Sequence, residues 1–62
     1  MMYDKIKLFL DEMDKSFYWL AKETGITEQT FSMMKRRGSS LSAGNLVKVA
    51  RALEIPMEKL MD

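Results

Sequence analysis

Apolar residues recur at helical spacing along almost the whole chain, and no stretch alternates apolar and polar residues with a period of two. Polar or glycine-containing breaks separate the apolar stripes, and a proline lies near the end of the sequence. The pattern predicts five helices, over about residues 3–13, 17–24, 28–37, 43–53 and 56–61. The predicted fold class is therefore all-α, with five helices packed compactly around one core.

Local signals mark the ends of these helices. Ser16 is a good N-cap for the second helix, and Gly25 can adopt the left-handed conformation that ends it. Thr27 is placed to cap the third helix. Ile26 before that cap and Phe31 four residues after it have the spacing of a hydrophobic staple, which sets the start of the third helix.

The same staple recurs at the fourth helix, where Leu41 precedes the cap Ser42 and Leu46 follows it. Pro56 suits the first position of a short fifth helix. The side chains expected to face inward in the first, second and fourth helices are Met2, Ile6, Phe9, Leu10, Met13, Phe17, Leu20, Ala21, Thr24, Leu46, Val49, Ala50 and Leu53. The apolar residues of the fifth helix have two alternative interpretations, burial in the core or a dimer surface; they are Met57, Leu60 and Met61.

The composition limits what this chain can do. A length of 62 residues allows a single domain, residues 1–62, and the chain has neither cysteine nor histidine. Disulfides, thiolate metal sites and histidine chemistry are therefore excluded, and we expect no enzyme activity, no metal and no cofactor. No secretory segment or long apolar run is visible, so we expect a cytoplasmic protein that makes no membrane contact.

The net charge of +1 conceals an uneven distribution. Residues 1–34 carry four cations and six acids, whereas residues 35–62 carry six cations and three acids. The segment between the acids at positions 28 and 54 is free of acidic residues and contains Lys35, Arg36, Arg37, Lys48 and Arg51. Such a segment can form a positive surface suited to nucleic acid. The alternative is a set of solvated helix ends, since cations also favour helix C-termini.

The segment from Ser16 to Gly38 meets the requirements of a helix-turn-helix. Such a motif needs a small residue where the two helices cross, which is Ala21, and a residue that tolerates positive φ in the turn, which is Gly25. Ile26 follows the turn, and Phe31 anchors the second helix six residues after the glycine. The alternative is an ordinary helical hairpin, which has no reason to place its exposed face and its cations in this way.

Two stretches, LAKETGITEQTFSMMKRRG and LSAGNLVKVARALEI, resemble the Cro/CI-type (XRE-like) helix-turn-helix family of phage and bacterial repressors. The resemblance covers about residues 3–61 and implies a lambda-repressor-like domain whose recognition helix is residues 28–37. It also implies double-stranded DNA as the partner, with a palindromic operator bound by a homodimer that is weak or forms on the DNA. No small-molecule ligand is evident.

In helix-turn-helix docking the N-terminal part of the recognition helix reaches base edges. Gln29 can make a bidentate pair with adenine, and Glu28 can accept a hydrogen bond from N4 of cytosine. Glu28 has a second interpretation, because an acid in the first turn also complements the helix dipole. Met33 can contact a thymine methyl group or pack against the turn. The base-contacting residues that the resemblance implies are Thr27, Glu28, Gln29, Thr30, Ser32 and Met33.

Phosphate contacts are expected from the N-terminus of the second helix, whose free N–H groups attract anions, and from the end of the recognition helix with the loop that follows. The residues concerned are Ser16, Phe17, Tyr18, Lys35, Arg36, Arg37, Ser39 and Ser40. The two arginines need not both touch DNA, since one can simply be solvated.

Two positions depart from the family pattern. Phe17 stands where many relatives carry a glutamine that contacts a phosphate, which leaves Ser16 or Tyr18 as substitutes. Glu54 follows Leu53 where relatives often carry glycine or asparagine. If that position is left-handed, a non-glycine residue there costs roughly 1 kcal/mol.

The leading hypothesis is a sequence-specific DNA-binding transcriptional regulator, a repressor of the phage or mobile-element type. The alternative is an interaction protein on the same scaffold, such as an antitoxin or an anti-repressor. An acid-free cationic segment favours DNA, although antitoxins often bind DNA as well. DNA binding through several phosphates weakens steeply with salt, and this separates the two hypotheses.

Overall fold

The computed structural model describes residues 1–61 and contains four α-helices, with no strand in that part of the chain. These are α1 (Met2–Met13), α2 (Phe17–Thr24), α3 (Glu28–Arg37) and α4 (Ala43–Leu53). The predicted bounds of α2, α3 and α4 are confirmed, and α1 begins one residue earlier than expected. No helix among the described residues has the length and apolar character that crossing a membrane requires.

The predicted fifth α-helix is not found. Instead, a single 3-10 turn spans Met57–Lys59, and Pro56 is the residue before it (φ −65°, ψ 147°) rather than the first helical residue. Residues three apart eclipse one another in a 3-10 helix, so Met57 and Leu60 share a side without any need for an α-helix. The five-helix count is therefore not confirmed. Leu60 is buried at 1% exposure, whereas Met61 is 50% exposed.

Side-chain caps and left-handed residues define the helix ends. The hydroxyl oxygens of Ser16, Thr27 and Ser42 each accept a hydrogen bond from the backbone N–H three residues later, over 3.1, 3.3 and 3.4 Å. These caps satisfy donors that the first turn of a helix otherwise leaves unpaired. The four α-helices all end in a left-handed residue, and the four residues are Asp14, Gly25, Gly38 and Glu54.

One apolar core joins all four helices and the C-terminal turn. Its buried side chains are Met2, Ile6, Leu10, Leu20, Ile26, Phe31, Met34, Leu46, Val49, Ala50, Leu53 and Leu60. Of the residues predicted to face inward, Phe9, Met13, Phe17, Ala21 and Thr24 are only half-buried. α2 packs mainly on α4 and also on α3, while α1 packs on α3. No charged or polar side chain among the described residues is buried, so apolar packing holds the fold together.

Candidate nucleic-acid interface

The turn between α2 and α3 is held by one hydroxyl group and one glycine. Thr24 Oγ1 donates to the carbonyl oxygen of Leu20 over 2.8 Å and accepts from the N–H of Ile26 over 3.2 Å. Gly25 has φ 78° and donates its N–H to the carbonyl oxygen of Ala21 over 2.9 Å. A Cβ at Gly25 would meet nothing within 4 Å, so backbone conformation rather than space favours glycine there. Because Ile26 is also buried, this turn orients α3 relative to α2.

α3 presents a polar face away from the core. Phe31 and Met34 are its buried residues, at 2% exposure each. The opposite side carries Gln29 and Ser32, which are exposed, and Met33, which is half-buried. Glu28 is exposed in the first turn of the helix. The structure thus brings these four predicted base-contacting residues to the outside of α3 and leaves the polar groups of Glu28, Gln29 and Ser32 accessible.

The other two predicted base-contacting residues, Thr27 and Thr30, are engaged with each other. Thr27 Oγ1 accepts from the N–H of Thr30 as the N-cap, and their two hydroxyl groups share a hydrogen bond of 3.0 Å. Thr27 is exposed and Thr30 is half-buried. Their hydroxyl groups therefore stabilise the start of α3, and their methyl groups are the parts left to meet a thymine methyl group.

An aromatic stack places the N-terminus of α2 beside α3. The ring of Phe17 stacks on Tyr3 of α1, with centroids 4.7 Å apart and planes at 8°, and lies 5.3 Å from the ring of Phe31. The phenyl ring of Phe17 is thus a packing group. Its backbone N–H and that of Tyr18 lie in the first turn of α2, where no helical partner exists. Ser16 and Tyr18, the two substitutes, are both exposed.

Lys35 lies on the side of α3 that faces the Tyr3–Phe17 stack. Its Nζ lies 5.7 Å from the centroid of the Tyr3 ring, within the range of a cation–π interaction. Tyr3 and Phe17 also line one surface depression together with the cap Ser16. These three residues and Lys35 form the surface that we call the α1–α2 edge. Sequence reasoning missed Tyr3, because nothing in the periodicity of an amphipathic helix shows which ring a partly buried tyrosine stacks on.

A groove of about 250 Å³ borders the other side of α3, between this helix and the start of α4. Its lining residues are Thr30, Met33, Met34, Arg37, Ser39, Ser40, Leu41, Ser42 and Asn45. We call this groove and its rim the α3–α4 edge. It brings together three predicted phosphate-contacting residues, Arg37, Ser39 and Ser40, and adds Asn45, which sequence reasoning missed. The signal in the sequence that could have pointed to Asn45 was its position in the first turn of α4, three residues after the cap Ser42.

The comparison with known proteins agrees with this geometry. A family model for the Cro/C1-type helix-turn-helix DNA-binding domain matches residues 5–62. No curated protein and no solved structure matches the chain. The match spans the turn, both of its flanking helices and nearly all of the sequence. The chain therefore belongs to the Cro/C1-type helix-turn-helix DNA-binding family.

Proposed function

We propose that this protein is a sequence-specific transcriptional regulator, a repressor of the phage or mobile-element type, that reads the major groove with α3. The observation that carries the proposal is the exposed polar face of α3, which lies between two edges that each hold a cation and hydroxyl groups. A helix in the major groove needs this arrangement, because base edges lie on the groove floor and phosphates line both walls. As part of the same proposal, the protein acts in the bacterial cytoplasm, where repressors of this type meet their operators.

The base-reading roles follow from the donors and acceptors on α3. Gln29 offers the donor and acceptor pair that matches N7 and N6 of adenine, and Glu28 offers an acceptor for N4 of cytosine. Ser32 can serve either kind of base. Met33 and the methyl groups of the capping threonines supply apolar contacts to thymine.

Each edge supplies phosphate contacts that position the protein without reading sequence. On the α1–α2 edge these come from Lys35, the hydroxyl group of Ser16 and the N–H groups of Phe17 and Tyr18 at the N-terminus of α2. On the α3–α4 edge they come from Arg37, with the hydroxyl groups of the two loop serines, Ser39 and Ser40. Each edge thus faces the phosphates of a different strand of the duplex.

Self-association completes the proposal, since a palindromic operator is matched by a two-fold symmetric dimer. The surface we propose is the C-terminal one, where the half-exposed Met61 borders an apolar groove. The residues that line this groove are Met2, Ser40, Leu41, Ala43, Leu46, Leu60 and Met61. Ser40 and Leu41 also line the α3–α4 edge, so the two surfaces adjoin. A partner there can reach the same face of the duplex.

A filter-binding titration with duplex DNA from upstream of the protein's own gene tests the function. We expect specific binding whose logarithmic affinity falls linearly with the logarithm of salt concentration, with a slope of about −0.9 for each neutralised phosphate. Lys35→Ala should make that slope shallower by about 0.9 per protomer. No specific binding to this DNA, or binding that salt leaves unchanged, would contradict the proposal and favour a protein partner.

A further inference from the structure

Three consecutive cations at the end of α3 point in three different directions. Successive residues of an α-helix are rotated by about 100°, so neighbours cannot share a side. Lys35 turns toward α1, where it lies over the Tyr3 ring at 5.7 Å. Arg37 turns the other way and lines the groove beside α4. Arg36 lies between them, exposed, on the side opposite the core.

Arg36 continues the row of exposed residues on α3. Gln29, Ser32, Met33 and Arg36 occupy positions i, i+3, i+4 and i+7, which share one face of a helix. In the homeodomain, a helix-turn-helix variant, four residues with this spacing meet bases along the recognition helix, so contacts there are not confined to its N-terminal turn. From Gln29 to Arg36 the helix rises by about 10.5 Å, so the two residues meet different base pairs.

From this position we infer that Arg36 reads a guanine in the major groove, in place of the phosphate contact expected from the sequence. The inference rests on the proposed function and deepens it by naming a base. The guanidinium group can donate two parallel hydrogen bonds to N7 and O6 of guanine, and it carries donors but no acceptor. Phosphates, by contrast, line the groove walls, and Lys35 and Arg37 are the cations directed toward those walls.

A guanine contact by Arg36 constrains the sequence of the operator. Each half-site contains a G·C pair that is distinct from the pair that Gln29 contacts, since about 10.5 Å of helix separates the two residues. The guanine preference depends on Arg36 and on neither neighbouring cation.

Selection from a pool of duplexes with a randomised central segment tests this directly. The proteins compared are wild type, Arg36→Ala, Arg36→Lys, Lys35→Ala and Arg37→Ala. We expect Arg36→Ala to lose the preference for one G·C pair in the selected consensus while the preferences at other positions remain. In titrations, replacing that pair should weaken wild-type binding about 5- to 150-fold and leave the binding of Arg36→Ala nearly unchanged.

The matched variants separate base reading from charge. Lys35→Ala and Arg37→Ala should select the wild-type consensus, bind every duplex more weakly by a similar factor, and show a shallower salt slope. Arg36→Lys keeps the charge but not the planar pair of donors, so it should retain the salt slope and discriminate guanine less than wild type. Circular dichroism of each variant confirms that it is folded, as expected for exposed helical positions.

Two failures are distinguishable. If the wild-type protein enriches no sequence, the proposed function is wrong and the role of Arg36 falls with it. If wild type enriches a sequence and Arg36→Ala enriches the same one with uniformly weaker binding, Arg36 is a phosphate contact and only this inference is overturned.

Discussion

At the scale of single residues, two non-glycine residues hold left-handed backbone conformations at helix ends. Asp14 ends α1 with φ 58° and Glu54 ends α4 with φ 57°. This conformation costs an L-residue roughly 1–2 kcal/mol, and aspartate tolerates it better than glutamate does. The sequence left the conformation of Glu54 open, and the structure shows that it is left-handed. The strain at Glu54 is therefore a removable cost.

We expect Glu54→Gly to raise the free energy of unfolding by up to about 1 kcal/mol, since relief of strain exceeds the added flexibility of the unfolded chain. For a domain of this size that gain corresponds to an increase of about 4–8 °C in the melting temperature. Lys48→Gly, at an exposed position inside α4, is the control and should lower the melting temperature. A Glu54→Gly variant that melts at or below the wild-type temperature would contradict the prediction.

The side chain of Phe17 packs against other rings, at a position where many relatives carry a glutamine that contacts a phosphate. Its ring lies between Tyr3 and Phe31 and links α1, α2 and α3. We expect Phe17→Gln to lower the free energy of unfolding by about 2 kcal/mol or more, because two aromatic contacts and the burial of the ring are lost. Denaturant unfolding measures the change.

Tyr18→Gln is the control for Phe17→Gln. It changes the next residue of α2 in the same way, but the side chain of Tyr18 is 59% exposed, so its unfolding free energy should stay within about 0.5 kcal/mol of wild type. Equal stability of the two variants would show that the aromatic stack contributes nothing measurable.

At the scale of elements, the signals that worked were local ones. The caps at Ser16, Thr27 and Ser42 and the glycine at position 25 predicted the bounds of α2, α3 and α4, because a cap acts on N–H groups within its own turn. The prediction of a fifth α-helix was wrong because a spacing of three between Met57 and Leu60 fits a 3-10 turn as well as an α-helix. Six residues are too few for the spacing of apolar positions to distinguish a 3-10 turn from an α-helix.

The orientation of α3 depends on the Thr24 hydroxyl group. We expect Thr24→Val to lower the free energy of unfolding by about 1–2 kcal/mol, because the N–H of Ile26 loses its acceptor while the shape of the side chain is kept. Thr24→Ser keeps the oxygen and is the matched control, so it should lose less. Thermal melts of the two variants decide the matter, and a valine variant as stable as the serine variant would refute the role of the hydroxyl group.

At the scale of the whole molecule, the sequence indicated which residues could meet DNA but not how they are divided between surfaces. Helical spacing alone places Gln29 and Ser32 opposite Phe31 and Met34. The α1–α2 edge required the Tyr3–Phe17 stack, which joins residues 14 positions apart. The α3–α4 edge required the loop after α3 and the start of α4 to line one groove with α3. Such tertiary neighbours leave no local pattern in a single sequence.

Self-association is tested at this scale with Met61, because Leu60 is already in the core of the single chain. We expect Met61→Asp to weaken the homodimer in sedimentation equilibrium while the monomer stays folded, since it puts a charge into an apolar contact. Leu8→Asp is the control. Leu8 is 65% exposed on α1 and does not line the proposed apolar groove, so this change should leave the dimer intact. Equal effects of the two substitutions would remove the C-terminal surface from the proposal.

The crystal structure of the protein bound to its selected duplex tests the central claim, that α3 reads the major groove, most directly. We predict α3 lying in the major groove, with Gln29 and Arg36 within hydrogen-bonding distance of base edges and with Lys35 and Arg37 facing phosphates of opposite strands. A complex in which α3 points to solvent, or in which another surface such as the exposed side of α1 lies on the duplex, would contradict the account.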